Sequence, residues 1–468
     1  EQLAAYRAVQ GLGAGGLMAL AFAIIGDIVS PRERARYQGY FMAVFGISSV
    51  AGPVLGGLLA GQDRLLGFDG WRWVFYVNLP IGIVALAVVS RYLNIPHLRR
   101  EHKIDYLGAI TLVLGVTSLL LVAEQGRTWG WGSGKSVAYY VIGSGLLVAF
   151  GIIERRVGDE AILPLKMFHS PVFNVASLLN FILGMGMFGG IICLPLYMQI
   201  VKGFSPTESG LSLLPMMLGI MTVAMGSGIV TARTGRYKIF PIVGIGILIV
   251  ALLGLSRISA QTSYLELAPL MLLLGAGLGC CMQTLVLATQ NAVPASQMGV
   301  ATASATFFRS MGGTFGTAIF LTIFFSGAAR HIGDNVQAAA QTPQFQAALR
   351  DPANGVIARA LRAISGGSTS QLNDTSFLNH GALVLREPFL AGFAQAMDRV
   401  FLVAALVMLP AFILSFFLKE EKLRMESGLQ AQAAERAAAA AAVAGNPAPQ
   451  VDERTAGELS TGADGRGR

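Results

Sequence analysis

Four polar residues stand within or at the ends of long apolar segments, where their side chains could carry chemistry across a membrane: Arg7, Gln10, Glu124 and Arg309. A charge at the centre of a bilayer costs about 2.5 to 3.5 kcal/mol on insertion scales, so such residues mark ion, proton or ligand paths. Arg309 lies deepest, too far from either end of its segment to reach the surface. For Arg309, a buried structural ion pair and a role in gating or ligand binding are both open.

The other three residues have ordinary alternatives. Arg7 lies near the start of its segment, so its side chain could instead extend to the membrane surface. Gln10 follows one helical turn later on the same face, where it could orient the Arg7 guanidinium, bond a ligand or make a helix-packing contact. Glu124 precedes Trp129 and Trp131 and could be an interface residue beside an aromatic belt.

The composition places these residues in a membrane protein. Of 468 residues, 54% are apolar and 13% are charged, against about 25% charged in soluble domains. The net charge of +8 is dispersed through short connections, which argues against a nucleic-acid surface. The three cysteines lie in apolar segments and the five histidines in connections, so neither a metal site nor a catalytic cluster is predicted.

Eleven segments are long and apolar enough to cross a bilayer as helices, since about 20 residues span its hydrocarbon core. They are residues 3–26, 37–60, 73–93, 106–123, 137–153, 171–199, 208–230, 239–256, 266–290, 298–326 and 399–418. Alternate connections are basic, for example those with Arg32 and Arg34 and with Arg233 and Arg236. The positive-inside rule puts these connections and the C-terminus in the cytoplasm.

The odd number of spans puts residue 1, which is not Met, at the outer face. The chain is therefore expected to lack helices that precede its first span. An internal repeat supports a two-halved arrangement, because a shift of 264 residues lays Gly11 on Gly275 and a shift of 263 lays Pro31 on Pro294. Parallel repeats of this kind form pseudo-symmetric halves around a central site.

Three consecutive motifs resemble those of the major facilitator superfamily. They are Arg7-Ala8-Val9-Gln10-Gly11, Asp27 with Pro31-Arg32-Glu33-Arg34, and Gly52-Pro53-x-x-Gly56-Gly57. The next motif, Trp71-Arg72-Trp73-x-Phe75-x-x-Asn78-x-Pro80-x-Gly82, resembles the signature of the fourteen-span drug:proton antiporters, the QacA/EmrB-like group. The resemblance implies an all-α integral membrane protein with the major facilitator fold. That fold has two pseudo-symmetric helical halves with two inserted linker helices, and its first three helices would be missing here.

The resemblance also implies a domain organisation. Residues 1–93 would be the remnant of the N-terminal half with three spans, residues 94–170 the linker with two inserted spans, and residues 171–418 the C-terminal half with six. Residues 327–397 would form a long outer loop with short surface helices. Residues 419–468 would be a cytoplasmic tail, which its composition predicts to be disordered.

Roles for the first motifs follow from the same resemblance. Arg7 would face the central cavity and take part in proton coupling. The helix that carries Gly46, Gly52, Pro53, Gly56 and Gly57 would be the antiporter helix. Its small residues would let a neighbouring helix approach closely and its proline would favour a kink, although a purely structural helix seam is the alternative.

The charged residues of the connections could form a latch at the cytoplasmic face. Asp27, Arg32 and Arg34 would make salt bridges that change with the state of the transporter, while a solvated topology signal is the alternative. Arg233 and Arg236 belong to a second copy of the basic motif. Alanine stands there in place of the family's frequent aspartate, so this copy is expected to anchor without latching.

The resemblance thus implies a secondary active exporter in the plasma membrane, which exchanges protons for lipophilic drugs or other small toxic compounds by alternating access. No cofactor beyond the proton gradient, no metal and no nucleic acid are expected. The expected partners are the substrate and membrane lipids, with an envelope-spanning efflux adaptor left open. No mid-membrane carboxylate is evident, and in the family an acidic residue of the first helix commonly carries the proton. Export of one metabolite or siderophore, uptake by symport, and a non-transporting sensor or enzyme stay open.

Overall fold

A computed structural model describes residues 2–29, 64–93, 105–294, 297–365 and 382–421, together with Leu378 and scattered positions between 37 and 59. Within these residues the regular structure is almost wholly helical. Eight of the described helical segments are long and apolar enough to cross a membrane, and one further apolar helix is shorter. The predicted all-α membrane fold is confirmed.

The described helices fall into three groups along the chain. The N-terminal group is α1, Gln2–Ile28, α2, Gly70–Tyr76, and α3, Asn78–Tyr92, with strands β1, Arg64–Leu65, and β2, Phe68–Asp69, before α2. The second group is a pair of helices, α4, Tyr106–Trp129, and α5, Gly134–Val157. The C-terminal group is α6, Pro171–Ile200, α7, Pro206–Ser212, α8, Leu214–Thr234, α9, Ile239–Leu255, α10, Tyr264–Asn291, α11, Met298–Ala339, α12, Pro343–Arg350, α13, Gly355–Ser365, and α14, Leu383–Phe416.

Short polar side chains start several of the long helices. Asp105, Ser133, Ser170 and Ser263 each accept a hydrogen bond from the backbone N–H three residues later, at the starts of α4, α5, α6 and α10. These bonds satisfy N–H groups that have no partner within the helix. At the end of α8, Gly235 adopts φ of 72°, a left-handed conformation that favours glycine.

Glycines let the C-terminal helices pack backbone against backbone. A Cβ atom at Gly312 of α11 would overlap the carbonyl oxygen of Phe181 of α6, and one at Gly275 of α10 would overlap that of Met216 of α8. No other residue type fits such contacts without displacing a helix. The pairs α6–α11 and α8–α10 therefore pack with their backbones in close contact.

Two sets of contacts define the ends of this bundle. At the tail end, the connection 235–238 holds residues 419–421, and the backbone N–H of Tyr237 donates to Oε1 of Glu420 at 2.9 Å. At the opposite end lies the connection between α9 and α10, and we call this the hairpin end. There the hydroxyl of Tyr197 of α6 donates to the carbonyl of Ser259 at 2.7 Å. Successive long helices of the C-terminal group run in opposite directions between these ends.

The predicted long connection 327–397 is largely replaced by helix. α11 continues to Ala339 and α14 begins at Leu383, so both run well beyond the predicted spans 298–326 and 399–418. The extensions stay helical because they bury each other: Ile332 contacts Gly392, and Phe389 is fully buried. The predicted short helices are present as α12 and α13.

Candidate functional site

Arg7 and Gln10 meet the tryptophan-rich motif at one cavity, which we call the aromatic cavity. It lies between α1 and α2, is open to the surface and has a volume of about 500 Å³. Its lining residues are Gln2, Tyr6, Arg7 and Gln10 of α1 and Trp71, Arg72, Phe75 and Tyr76 of α2. Its size lies within the range of small-molecule sites.

Two contacts hold the Arg7 guanidinium in this cavity. Its Nη1 donates to Oε1 of Gln10 at 3.0 Å, which agrees with the shared helix face that their spacing predicts. Its Cζ lies 4.7 Å from the centroid of the Phe75 ring, at the distance of a cation–π contact. The side chain is exposed, so a ligand in the cavity can reach it. Its role in proton coupling stays a prediction.

The second half of the tryptophan-rich motif shapes the backbone of the opposite wall. The turn residue Val77 separates α2 from α3. The side-chain amide of Asn78 donates to the carbonyls of Val74 and Phe75 at 3.2 and 3.3 Å. Pro80 lacks the N–H that an uninterrupted helix would need there. Asn78 and Pro80 therefore position α2 and do not line the cavity.

A small hairpin orients the first half of the motif. The indole Nε1 of Trp73 donates to the carbonyl of Leu65 in β1 at 2.7 Å. Asp69 in β2 pairs with Arg72 at 3.3 Å. The Arg72 guanidinium also lies 5.4 Å from the Trp71 ring centroid. The hairpin thus orients the Arg72 side chain, and its Asp69 partly neutralises the charge of Arg72.

Aromatic surface and positive charge are combined in the aromatic cavity. Among the described residues that line it, Arg7 and Arg72 are the ionisable ones apart from the tyrosines. Arg72 is paired with Asp69, whereas Arg7 donates to the neutral Gln10. Guanidinium groups bind carbonyl and anionic oxygens strongly. The cavity therefore suits a flat apolar molecule that carries acceptor oxygens.

The predicted antiporter helix and the predicted first latch lie largely outside the described residues. This applies to Arg32, Arg34, Gly46, Pro53 and Gly57 and to the side chain of Asp27. At Gly52 and Gly56, which are helical, an added Cβ would meet no atom within 4 Å. The close helix approach predicted from these glycines stays a prediction, because much of the surrounding chain lies outside the described residues.

The second basic motif lies beside contacts that hold Glu420 of the C-terminal segment. We call the contacts of Tyr237 and Lys238 with Glu420 the C-terminal clamp. Arg233 ends α8 and Arg236 follows it, and both side chains are exposed. The backbone N–H groups of Tyr237 and Lys238 donate to Oε1 of Glu420 at 2.9 and 3.3 Å. Burial raises the pKa of the Tyr237 hydroxyl. The connection anchors the end of α14, while the part that Arg233 and Arg236 play in a latch stays a prediction.

Arg309 and Glu124 lie apart from the aromatic cavity. The carbonyl group of Arg309 contacts Gly184 of α6, and its side chain is half-buried. Among the described residues no carboxylate forms an ion pair with Arg309. Glu124 lines a second cavity of about 370 Å³ between α4 and α11. The residues predicted for the translocation path thus occupy three separate places.

A half-buried carboxylate within a helix was missed by the sequence analysis. Asp398 directly precedes the predicted span 399–418, but α14 begins at Leu383 and Asp398 lies near its middle. Its Oδ1 is buried without a hydrogen-bond partner among the described groups. It is close enough to Tyr197 of α6 for an electrostatic interaction. The apolar residues on both sides of Asp398 were the signal that could have revealed it.

Comparisons with known proteins point to one family. The Major Facilitator Superfamily profile matches residues 2–317. An MFS-type transporter of Mycobacterium tuberculosis is 37% identical over 421 residues, which are 89% of this chain and 56% of that protein. The chain therefore spans about half the length of this relative.

Two other relatives have functional names. The multidrug transporter protein MdtP of Bacillus subtilis is 30% identical over 447 residues, which are 94% of this chain and 80% of that protein. A tetracycline resistance determinant of Streptomyces rimosus is 37% identical over 321 residues, which are 68% of this chain and 91% of that protein. Both names concern resistance to, or transport of, small molecules.

Proposed function

The chain belongs to the Major Facilitator Superfamily, and from this premise we propose that it exports lipophilic drugs or other small toxic compounds in exchange for protons. The names of the Bacillus and Streptomyces relatives support a drug as the exported compound. The tryptophan-rich motif supports membership of the fourteen-span drug:proton antiporters.

The aromatic cavity is the observation that carries this proposal. It joins Arg7 to Phe75 and Trp71 at the surface between two apolar helices. Aromatic side chains bind lipophilic molecules in many orientations, while the guanidinium group forms hydrogen bonds with acceptor oxygens. The substrate would thus be an aromatic or polycyclic compound with several carbonyl or hydroxyl oxygens.

The direction of transport rests on the orientation of the chain. We place the tail end in the cytoplasm of a plasma-membrane protein, since Arg233, Arg236 and Lys238 lie there. Substrate would enter from the cytoplasm or inner leaflet, and the halves would rock around the central site to release it outside. The C-terminal clamp on Glu420 would move with the C-terminal half as one body.

Proton coupling requires a carboxylate that is shielded from water in at least one state. Asp398 has a buried oxygen without a described partner, in the middle of a helix that packs on both α6 and α11. Protonation would remove the charge of this carboxylate and so lower the cost of keeping its oxygen buried. A carboxylate that stayed charged would keep that cost. We therefore assign proton loading to Asp398, beside the predicted contribution of Arg7.

Transport measurements in an efflux-deficient bacterium test the proposal. Cells that express the protein should export tetracycline and a lipophilic dye when energised, and a protonophore should stop this export. Arg7→Ala should reduce export strongly. Arg91→Ala is the matched control, because Arg91 is an exposed arginine in the last turn of α3 and does not line the aromatic cavity.

Export that persists after the proton gradient is collapsed would exclude antiport. Equal export by Arg7→Ala and Arg91→Ala would exclude the aromatic cavity as the substrate site. Both readings require that the variants reach the membrane in equal amounts, which immunoblotting of membrane fractions measures.

A further inference from the structure

Two carboxylates meet where α4 begins and α5 ends, and we call Asp105 and Glu154 the carboxylate pair. Oδ1 of Asp105 accepts a hydrogen bond from the backbone N–H of Gly108 at 2.8 Å, at the start of α4. Oε2 of Glu154, in the last turn of α5, accepts one from the backbone N–H of Leu163 at 3.1 Å. The two carboxylates are close enough to interact electrostatically, and their charges repel. The pair therefore lies at one end of the packed helices α4 and α5.

The other oxygen of each carboxylate is buried without a partner. Oδ2 of Asp105 and Oε1 of Glu154 make no hydrogen bond with the described residues. Glu154 as a whole is only 1% exposed. Neither carboxylate takes part in an ion pair within the described parts of the chain. Two charges buried in this way are costly, since each loses its hydration and repels the other.

Nearby charged side chains do not offset this cost. The described titratable side chains beside the pair, on α4, α5 and the connection 158–170, are exposed, whereas Glu154 is buried. They are Tyr106, Arg155, Arg156, Glu160, Lys166 and His169. One bound proton would remove one of the two charges, and the resulting O–H group could donate to the remaining carboxylate. Two close carboxylates therefore favour a state in which one of them is protonated.

The hydrogen bond of Glu154 also connects α5 to the C-terminal bundle. The side chain of Leu163 packs against a hydrophobic cluster made of Met167, Phe173, Val293 and Ala301. Phe173 belongs to the start of α6 and Ala301 to the start of α11. Leu163 is thus held by α5 through its N–H group and by the C-terminal helices through its side chain. A change in the charge of Glu154 therefore acts on the contact between these two parts of the protein.

We propose that the carboxylate pair binds one proton and so controls how firmly α5 is attached to the C-terminal bundle. With the proton bound, one carboxyl group donates its O–H to the other carboxylate, and Glu154 holds Leu163. When the proton passes to water, the two buried charges repel each other and the contact of Glu154 with Leu163 loosens. The attachment is thus firm at low pH and weakens as the pH rises through the ionisation of the pair.

The proton that binds here comes from the cytoplasmic side. The carboxylate pair lies at the tail end of the bundle, because Leu163 packs beside the starts of α6 and α11. The cytoplasmic placement of the tail end rests on the proposed function; the binding of the proton does not. This proton is distinct from the one that we assign to Asp398, which lies in α14.

Hydrogen exchange of the purified chain in lipid nanodiscs tests this site. The reporter is the peptide that contains Leu163, and its exchange rate is corrected for the intrinsic effect of pH. Between about pH 5 and about pH 8, the corrected rate of the wild type should rise by up to about tenfold per pH unit, because opening releases one proton. Glu154→Gln keeps an acceptor for Leu163 but cannot ionise, so its corrected rate should not change with pH.

Two further variants separate the pair from its surroundings. Asp105→Asn removes the repulsion and keeps an acceptor for Gly108, so at the upper end of this pH range its peptide should exchange about tenfold more slowly than that of the wild type. Glu160→Gln is the matched control, because Glu160 is an exposed carboxylate of the same connection. It should retain the full pH dependence of the wild type.

Three outcomes would overturn the proposal. One is a wild-type exchange rate that does not rise with pH, and another is a Glu154→Gln variant that shows the same rise as the wild type. The third is protection that added Mg²⁺ restores in the wild type at high pH but not in Glu154→Gln, since the pair would then bind a metal ion and not a proton.

The export assay keeps this inference separate from the proposed function. If the wild type exports no compound but the exchange rates respond as expected, the proposed function fails and the proton site stands. If the wild type exports tetracycline and Glu154→Gln exchanges like the wild type at every pH, the proton site fails and the exporter stands.

Discussion

The guanidinium of Arg7 lies over the ring of Phe75, with Cζ 4.7 Å from the ring centroid. This contact joins α1 to α2 across the aromatic cavity, although the two residues lie far apart in the chain. It holds the cation beside an apolar surface, in the position where it would meet a lipophilic substrate. The first prediction concerns this pair.

Replacement of Phe75 by leucine should weaken substrate binding without removing the cavity. A cation–π contact contributes about 0.5 to 2 kcal/mol, so the apparent KM for tetracycline export should rise about two- to thirtyfold. Phe75→Trp keeps an aromatic face and should retain most of the affinity. An unchanged KM in Phe75→Leu, measured in everted vesicles, would show that the ring does not position Arg7 for the substrate.

Glycine at position 312 should be essential for the packing of α6 on α11. A Cβ there would overlap the carbonyl oxygen of Phe181, so Gly312→Ala should destabilise the bundle by about 1 to 3 kcal/mol. Gly226 of α8 is the matched control, because an added Cβ would meet no atom within 4 Å. Gly226→Ala should be neutral or slightly stabilising, by up to about 1 kcal/mol.

Thermal unfolding of both alanine variants in detergent measures this difference. Gly312→Ala should show a lower Tm than the wild type and Gly226→Ala should not. Equal Tm values for the two variants would contradict the observed backbone contact between α6 and α11.

The folded protein should become less stable in alkaline solution as the hydroxyl of Tyr237 ionises. Burial raises its folded pKa above the usual value of about 10, so folding favours the neutral hydroxyl. The resulting stabilisation is complete below the unfolded pKa and is lost as the pH rises through the folded pKa. Tyr237→Phe removes this titration and should flatten the decline of Tm above about pH 10.

The Glu420 carboxylate provides a second check on the same contacts. It accepts the N–H groups of Tyr237 and Lys238, so Glu420→Gln should lower Tm at neutral pH. Because the charge of Glu420 also helps to raise the pKa of Tyr237, this variant should keep most of the alkaline decline but not all of it. If Tyr237→Phe retains the full alkaline decline of the wild type, another group must titrate and the prediction is wrong.

Asp398 should govern proton coupling without governing binding. Asp398→Asn keeps the shape of the side chain but cannot exchange a proton, so export driven by a pH gradient should fall to background while tetracycline binding is retained. Asp334→Asn is the control, since Asp334 is an exposed aspartate of α11. Normal gradient-driven export by Asp398→Asn, measured in proteoliposomes, would remove Asp398 from the mechanism.

Much of the fold follows from local features of the sequence. Long apolar segments must be helical in a bilayer because their backbone groups have no water to bond, and the described helices follow most of the predicted spans. The Arg7–Gln10 hydrogen bond follows from their spacing on one helix face. The break at Val77 between α2 and α3 was not predicted, since the sequence analysis assigned residues 73–93 to one continuous span.

Helix ends were less predictable where long helices leave the membrane. The residues of 327–397 are more polar than a span, which predicted a loop. α11 and α14 nevertheless continue through much of this segment, because Ile332 and Phe389 become buried between them. The same extension moved Asp398 from a loop boundary into the middle of a helix.

The sequence by itself determined that this chain is an all-α membrane protein of one transporter family, since composition, span length and motif order are properties of the chain alone. Only the tertiary structure decided that Arg7 faces Phe75, that Glu124 shares a cavity with Thr317, and that one carboxylate oxygen of Asp398 is buried. The physical reason is that membrane helices are apolar on most faces, so their hydrophobic pattern does not specify which face meets a neighbour. Long-range packing, governed by contacts such as that of Gly312 with Phe181, makes that choice.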